Sequence, residues 1–220
     1  MALAPDADHD DELARRLVAD VSRPEAGVLP AGPATVEARF GKRLRHLLLD
    51  DGWTEDELWT PLSRSLDRPV EDCGLRIEVI GPERAHVRTA VQRVALGGST
   101  FTDERWQAMA VGVPYAAAQC LVGYDRDDAV AAVTVWSAGP GRPGLIEPMG
   151  VNPDHRGHGH GRAITLAAAA ALRELGASNA TVCTPSSNAG AVATYQAAGF
   201  RADPDVSDLR RGADPHRANC

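Results

Sequence analysis

Between Val151 and Ala163 the chain reads Val-Asn-Pro-Asp-His-Arg-Gly-His-Gly-His-Gly-Arg-Ala, three glycines in five residues where a strand should hand over to a helix. Gly157, Gly159 and Gly161 remove the side chains that would hold a ligand away from the backbone, and they permit positive φ, so successive N–H groups can point into one concavity. The helix that follows adds its own unpaired N–H groups and the positive end of its dipole. Arg156 and Arg162 bring charge suited to a diphosphate. Read instead as solvated charges, they would sit at a helix N-terminus that disfavours cations. The turn suits a phosphate-bearing ligand. It is not a P-loop, since the Gly-Lys-Ser/Thr ending is missing, and it is not the Gly-x-Gly-x-x-Gly of a dinucleotide fold, whose glycines come in another order after a first strand. His155, His158 and His160 suggest a metal or nucleotide sensor, but metal ligands must converge on one point. Residues of a phosphate loop splay outward, so no metal is expected.

The surrounding pattern gives the turn its place. Leu75–Ile80 alternates apolar and charged residues as a strand does, Glu83–Leu96 is amphipathic through Ala85, Val87, Val91 and Val94, and Asp103–Ala110 is a shorter helix with Thr102 as N-cap. Cys120–Tyr124 and Ala129–Trp136 read as strands joined by a hairpin turn, Asp125 to Asp128. A strand at Leu145–Val151, a helix at Arg162–Leu175 closed by Gly176, a strand at Ala180–Thr184, a helix at Ala189–Ala198 closed by Gly199 and a last strand from Phe200 follow. Hairpins first and β-α-β later imply one α/β domain with a mixed sheet.

The order Arg156-x-x-Gly159-x-Gly161, preceded by Val151-x-Pro153 on a strand end and followed by a helix, resembles the acetyl-CoA-binding motif of the GNAT superfamily of N-acetyltransferases. Asn188-Ala-Gly-Ala-Val-Ala-Thr-Tyr195-Gln-Ala-Ala-Gly199-Phe200 resembles that family's second motif, and the element order over residues 75–211 follows the family's course. The resemblance implies an α/β fold with a mixed, mostly antiparallel sheet, splayed strands and flanking helices. It implies acetyl-CoA as cosubstrate, with no metal, and an amine of a small molecule or peptide as acceptor, attacked directly in a ternary complex. The pantetheine arm would lie along Met149, Gly150 and Val151, and the diphosphate on Arg156, Gly157, His158, Gly159, His160, Gly161 and Arg162. Tyr195, otherwise a core aromatic, would protonate the leaving thiolate. Asn188 would cap its helix or touch the cofactor. Glu147, a carboxylate in an apolar strand, or a water would take the proton from the amine. Pro148 departs from the common pattern by removing a backbone N–H from that strand. A non-catalytic acyl-CoA-binding or sensor module would use the same pocket.

Charge divides the 220 residues unevenly. Residues 1–74 carry 16 acids and 9 bases, whereas residues 75–220 carry 14 of each, so the net −7 belongs to the first third. No basic footprint is offered to nucleic acid or anionic lipid, both of which need clustered Lys and Arg. Cys73, Cys120, Cys183 and Cys220 are scattered without a C-x-x-C pair and read as free thiols in a reducing compartment. The longest apolar stretch, Ala163–Leu172, is far short of the roughly 20 residues that span a bilayer, and the acidic start lacks a signal-peptide pattern. A soluble, cytoplasmic protein is expected. Residues 1–34 read as a flexible acidic segment that passes through a short helical pattern (Leu13, Leu17, Val18) and ends in a Pro/Gly-rich linker, and residues 212–220 as a tail. Residues 35–74 read as a helical appendage, with a helix at Val36–Leu49 (Phe40, Leu44, Leu47 and Leu48 on one face) and a strand at Leu58–Leu62. Leu47-Leu-Leu-Asp-Asp-Gly52-Trp53 repeats the close of the second motif, so this segment is either the remnant of a first copy or an unrelated helix ended by glycine. It would cover the sheet, shape the acceptor site or make a subunit contact, for which a homodimer is the candidate assembly.

Overall fold

The computed structural model describes residues 5–38, 41–97 and 99–212, which group into two units. The first takes the chain up to Thr60, with Pro185–Ser187 and the residues from Pro204 onward. Its helix α1, Asp11–Ser22, starts where Asp10 accepts a hydrogen bond from Leu13 N–H at 2.9 Å, with Asp11 and Glu12 in the first turn, where the dipole favours them. Strand β1 (Ala34–Val36), helix α2 (Lys42–Asp50) and the first half of β2 (Thr54–Ser65) follow. Val36 therefore lies in a strand and the helix expected from residue 36 begins only at Lys42, after a glycine at φ 122°; Phe40 lies outside the described residues. Leu44, Leu48 and Trp53 pack with Ala14, Val21, Val36, Ala38 and Leu209. The short helical pattern at Leu13, Leu17 and Val18 is thus a docked helix, with Leu17 and Val18 packed against this cluster.

The second unit runs Pro61–Thr184 and Asn188–Asp203. The boundary thus falls at Thr60 rather than Gly74, and the last strand belongs with the first unit. In order come β3 (Arg76–Val79), α3 (Ala85–Ala95), α4 (Asp103–Ala110), β4 (Ala118–Asp125), β5 (Asp128–Ser137), β6 (Gly144–Val151), α5 (His160–Glu174), β7 (Asn179–Pro185), α6 (Ala189–Ala197) and β8 (Arg201–Ala202), with β9 (Val206–Arg211) returning to the first unit. Here the strand order is β8-β2-β7-β6-β5-β4-β3, with β3 through β6 antiparallel and β6 parallel to β7. This is the mixed sheet that the element order predicts, mostly antiparallel as the family resemblance implies. In the first unit β9 lies between β1 and β2, antiparallel to both.

Strand β5 is apolar from Ala129 to Val133 because both its faces are covered. Ala131, Val133 and Val135 meet the α5 layer with Ile164, Leu166, Ala168 and Leu172, whereas Ala132 joins Ile80, Val91, Trp106, Cys120 and Val122 on the other side. Helix α4 starts at the expected cap, Thr102, whose hydroxyl accepts from Arg105 N–H at 3.3 Å. Helix α3 differs from its expected register. Val94 is 51% exposed, and the buried face runs Ala85, Arg88, Thr89, Val91, Ala95. Among the described residues no disulfide joins Cys73, Cys120 or Cys183, and Cys220 lies outside the described residues. Among the described residues no helix is long and apolar enough to cross a membrane.

Candidate active site

Strands β6 and β7 are paired only at their beginnings. Gly144 faces Ala180 and Leu145 faces Thr181, after which the two part. The edge of β6 from Ile146 to Val151 is thereby left open toward β7. On its other edge β6 carries a bulge, because Val133 pairs with Met149 but Val135 pairs with Ile146, so that Glu147 and Pro148 together oppose Thr134. Proline cannot extend the ladder, which is why the irregularity sits there. The Glu147 carbonyl accepts a hydrogen bond from Trp136 Nε1 at 2.7 Å, and its carboxylate is exposed.

The turn after β6 is built in steps. Asn152 Oδ1 accepts from Asp154 N–H at 3.1 Å and opens a short 3-10 turn, Pro153–His155. Gly157 and Gly159 then take φ of 81° and 82°, the left-handed region that costs a residue with a Cβ about 1 kcal/mol or more. Gly161 is needed for a different reason: a Cβ there would lie 2.9 Å from Thr194 Cγ2, so the glycine lets α5 and α6 touch. Nothing stands within 4 Å of where a Cβ would project from Gly157 or Gly159. The backbone N–H groups from Gly157 to Arg162 donate to none of the described residues, and the first return bond of α5 is Ala163 N–H to Gly159 C=O at 3.0 Å. Six successive donors thus lie at the positive end of a helix of 15 residues, with open space beside Gly157 and Gly159.

The arginines are already engaged. Arg156 donates from Nη2 to Ala95 C=O at 3.0 Å and from Nε to Val151 C=O at 3.3 Å, fastening the turn to α3 and β6. Arg162 turns the other way, donating from Nε to Ala197 C=O at 2.9 Å and reaching Glu71 at 3.5 Å. Glu71 also accepts from Arg64 Nη2 at 2.6 Å, and Arg64 Nη1 donates to Ala198 C=O at 2.5 Å. The Arg64 hydrogen bond, helped by the Glu71 backbone N–H, holds the Glu71 carboxyl below its ordinary range. Arg64, Glu71 and Arg162 form a clamp on the C-terminal carbonyls of α6. Sequence pattern alone did not single out Arg64 or Glu71, since neither lies in a motif.

The imidazoles do not splay. His158 stacks on His160 with ring centroids 5.9 Å apart, and His155 lies 6.4 Å from His160. His160 is buried, with Nε2 3.7 Å from Asp125 Oδ2. Among the described residues no group of three or more His, Cys, Asp or Glu is arranged to hold a metal.

Tyr195 faces the same apolar layer as Met149 and Val151, its ring 6.0 Å from that of Phe200. Burial, with the Glu147 charge adding, pushes its phenol up to about 12. The hydroxyl therefore stays protonated near neutrality. Asn188, at the opposite end of α6, has its Oδ1 taken by Ala191 N–H at 3.1 Å and is the helix cap. The structure thus gathers Glu147, Met149, Val151, the turn and Tyr195, and leaves the side chains of Arg162 and Asn188 committed to α6.

Residues 94–200 match the model of the acetyltransferase (GNAT) family. The chain is 27% identical to a mycothiol acetyltransferase of Thermobispora bispora over 230 residues, covering 86% of this chain and 77% of that protein. Among solved structures it resembles a GCN5-related N-acetyltransferase from Sphaerobacter thermophilus, with a TM-score of 0.62, 19% identity and coverage of 83% of this chain and 61% of that one. It therefore spans about three fifths of that protein's length. A tandem GNAT protein from the clavulanic acid biosynthesis pathway is matched with a TM-score of 0.57 and 19% identity, over 85% of this chain and 62% of that one.

Proposed function

We propose that this chain, an acyltransferase whose residues 94–200 form a domain of the acetyltransferase (GNAT) family, moves an acetyl group from acetyl-CoA to the primary amine of a small molecule or peptide. The observation that carries this reading is the row of N–H groups from Gly157 to Arg162 that donate to none of the described residues, with open space beside Gly157 and Gly159, next to the parted strands β6 and β7. Such a row suits a diphosphate, and the residues present fit the cosubstrate: donors without partners, room before Gly157 and Gly159, and a free strand edge at Met149–Val151 for an amide-bearing arm. Acetyl-CoA supplies the activated thioester.

Each residue then has a task. The turn binds the diphosphate through its backbone, with Arg156 fastening the turn. A backbone N–H within Met149–Val151 takes the negative charge that develops on the thioester oxygen. Glu147, exposed at the bulge, or a water receives the proton that the amine loses as its nitrogen attacks the carbonyl carbon. The carbon–sulfur bond breaks, and Tyr195 gives its hydroxyl proton to the departing sulfur. No covalent enzyme intermediate is required. An amine panel assayed for acetyl-CoA-dependent thiol release, with calorimetry alongside, tests the reading. Thiol release that depends on amine and on Tyr195 is expected; binding of acetyl-CoA without release from any amine would instead mark a non-catalytic acyl-CoA module.

A further inference from the structure

Charged side chains inside a protein are paired, because an uncompensated ion in a low-dielectric interior is strongly unfavourable. Arg88, in the middle of α3, is only 1% exposed. Its Nη1 donates to Gln92 Oε1 one turn on, its Nη2 donates to Thr134 Oγ1 at 2.7 Å, and its guanidinium lies 5.5 Å from the centre of the Phe101 ring. None of these partners is an anion. No described residue forms an ion pair with it, and Nε is buried with no hydrogen-bond partner. A guanidinium has five N–H donors, so those on Nε and one on each Nη remain to be used. The counter-ion of this cation does not come from the described residues.

Its position connects it to the site. Thr134, which Arg88 holds, is the residue that faces the Glu147–Pro148 bulge across the strand pair. Helix α3 ends against β6, where a Cβ on Gly150 would lie 2.7 Å from that of Ala95. Half-buried Phe101 lies against the guanidinium, and on the same face half-buried Tyr115 packs edge to face on Trp106 at 5.8 Å and on Trp136 at 6.2 Å. The cation therefore sits on the α3 face of the sheet, against Phe101 and beside the bulge that carries Glu147.

We propose that Arg88 receives a carboxylate of the acceptor, so that the acceptor is an amino acid or a peptide whose free carboxylate lies close to its amine. This rests on the reading of an amine acceptor. One cation, with no second cation sharing its partners, balances a monoanion rather than a phosphate. The Nε edge of a guanidinium matches the two oxygens of a carboxylate side by side.

The test uses the full chain with free amino acids and the matching amino acid amides as probes. Binding is followed by the shift in thermal midpoint, for the wild type, Arg88→Met and Arg88→Lys, with thiol release from acetyl-CoA measured in parallel. At least one free acid should bind about tenfold or more tighter than its amide. The preference should vanish in Arg88→Met and shrink in Arg88→Lys, which keeps the charge without the fork. Absence of binding by every acid, equal binding of acids and amides, or a preference that survives in Arg88→Met overturns the proposal. If Arg88→Met does not fold, the wild-type ratio and Arg88→Lys decide. Thiol release without acid preference defeats this inference and leaves the acyltransferase reading standing; acid preference without thiol release from any amine does the reverse.

Discussion

Tyr195 is a phenol whose environment has been arranged to keep its proton. Folding raises its pKa from 10.0 to about 12, so the native state holds a proton that the unfolded chain loses first. Its contribution to stability is therefore whole below pH 10 and is lost as the pH climbs from 10 to 12. Tyr195→Phe should lower thiol release by about a hundredfold, within the usual range for a general acid, and leave acetyl-CoA affinity nearly unchanged; unchanged turnover across the pH range would remove the proton-donor role. Glu71 is linked to the end of α6, the helix that carries Tyr195, through the two arginines that hold the Ala197 and Ala198 carbonyls. Glu71→Gln should lower kcat up to about tenfold by loosening α6, with little change in the KM for acetyl-CoA. A lowered KM would instead mean that Arg162, once released, joins the diphosphate site. The sequence singles out Tyr195 and Glu147 as candidates because one stands in a motif and the other against an apolar background. It does not single out Arg64 and Glu71, since a salt-linked clamp leaves no periodic trace.

Among the elements, those set by local chemistry follow the sequence most closely. The Thr102 cap, the turn between β4 and β5, and the glycine-rich turn lie where spacing and turn residues require them. Thr102→Ala should cost about 1 kcal/mol in chemical denaturation, the ordinary loss of an N-cap. Helix α3 was harder, because Val87, Val91 and Val94 suggest one face while the tertiary contacts select Ala85, Arg88, Thr89, Val91 and Ala95. The spacing from Ala85 to Arg88 to Val91 to Ala95 carried the signal, but a charged residue on an apolar stripe reads naturally as solvated. The bulge in β6 had its marker in Pro148, a residue that a regular ladder does not accommodate.

Over the whole chain, the first 74 residues are where sequence reasoning and structure part most. Their acidity suggests a solvated segment, yet α1 packs with α2, Trp53 and Leu209, and the chain returns through β9 to join them. Such long-range closure leaves no local pattern. Trp53 reports on it directly, for its Nε1 donates to Ser22 Oγ at 3.1 Å and Arg211 lies 5.4 Å from its ring. Deleting residues 1–34 should therefore shift the Trp53 emission and lower the unfolding midpoint of this unit, and an unchanged spectrum would restore the flexible-segment reading. The turn from Gly157 to Arg162 is where acetyl-CoA binding would be decided. Calorimetric titration of acetyl-CoA into the wild type and into Gly159→Val tests it most directly. A β-branched residue cannot adopt the left-handed conformation there without strain of about 1–3 kcal/mol. Affinity should fall at least about tenfold in the variant, while pantetheine, which lacks the diphosphate, should bind both proteins equally weakly; equal acetyl-CoA affinity in the two proteins would contradict the account.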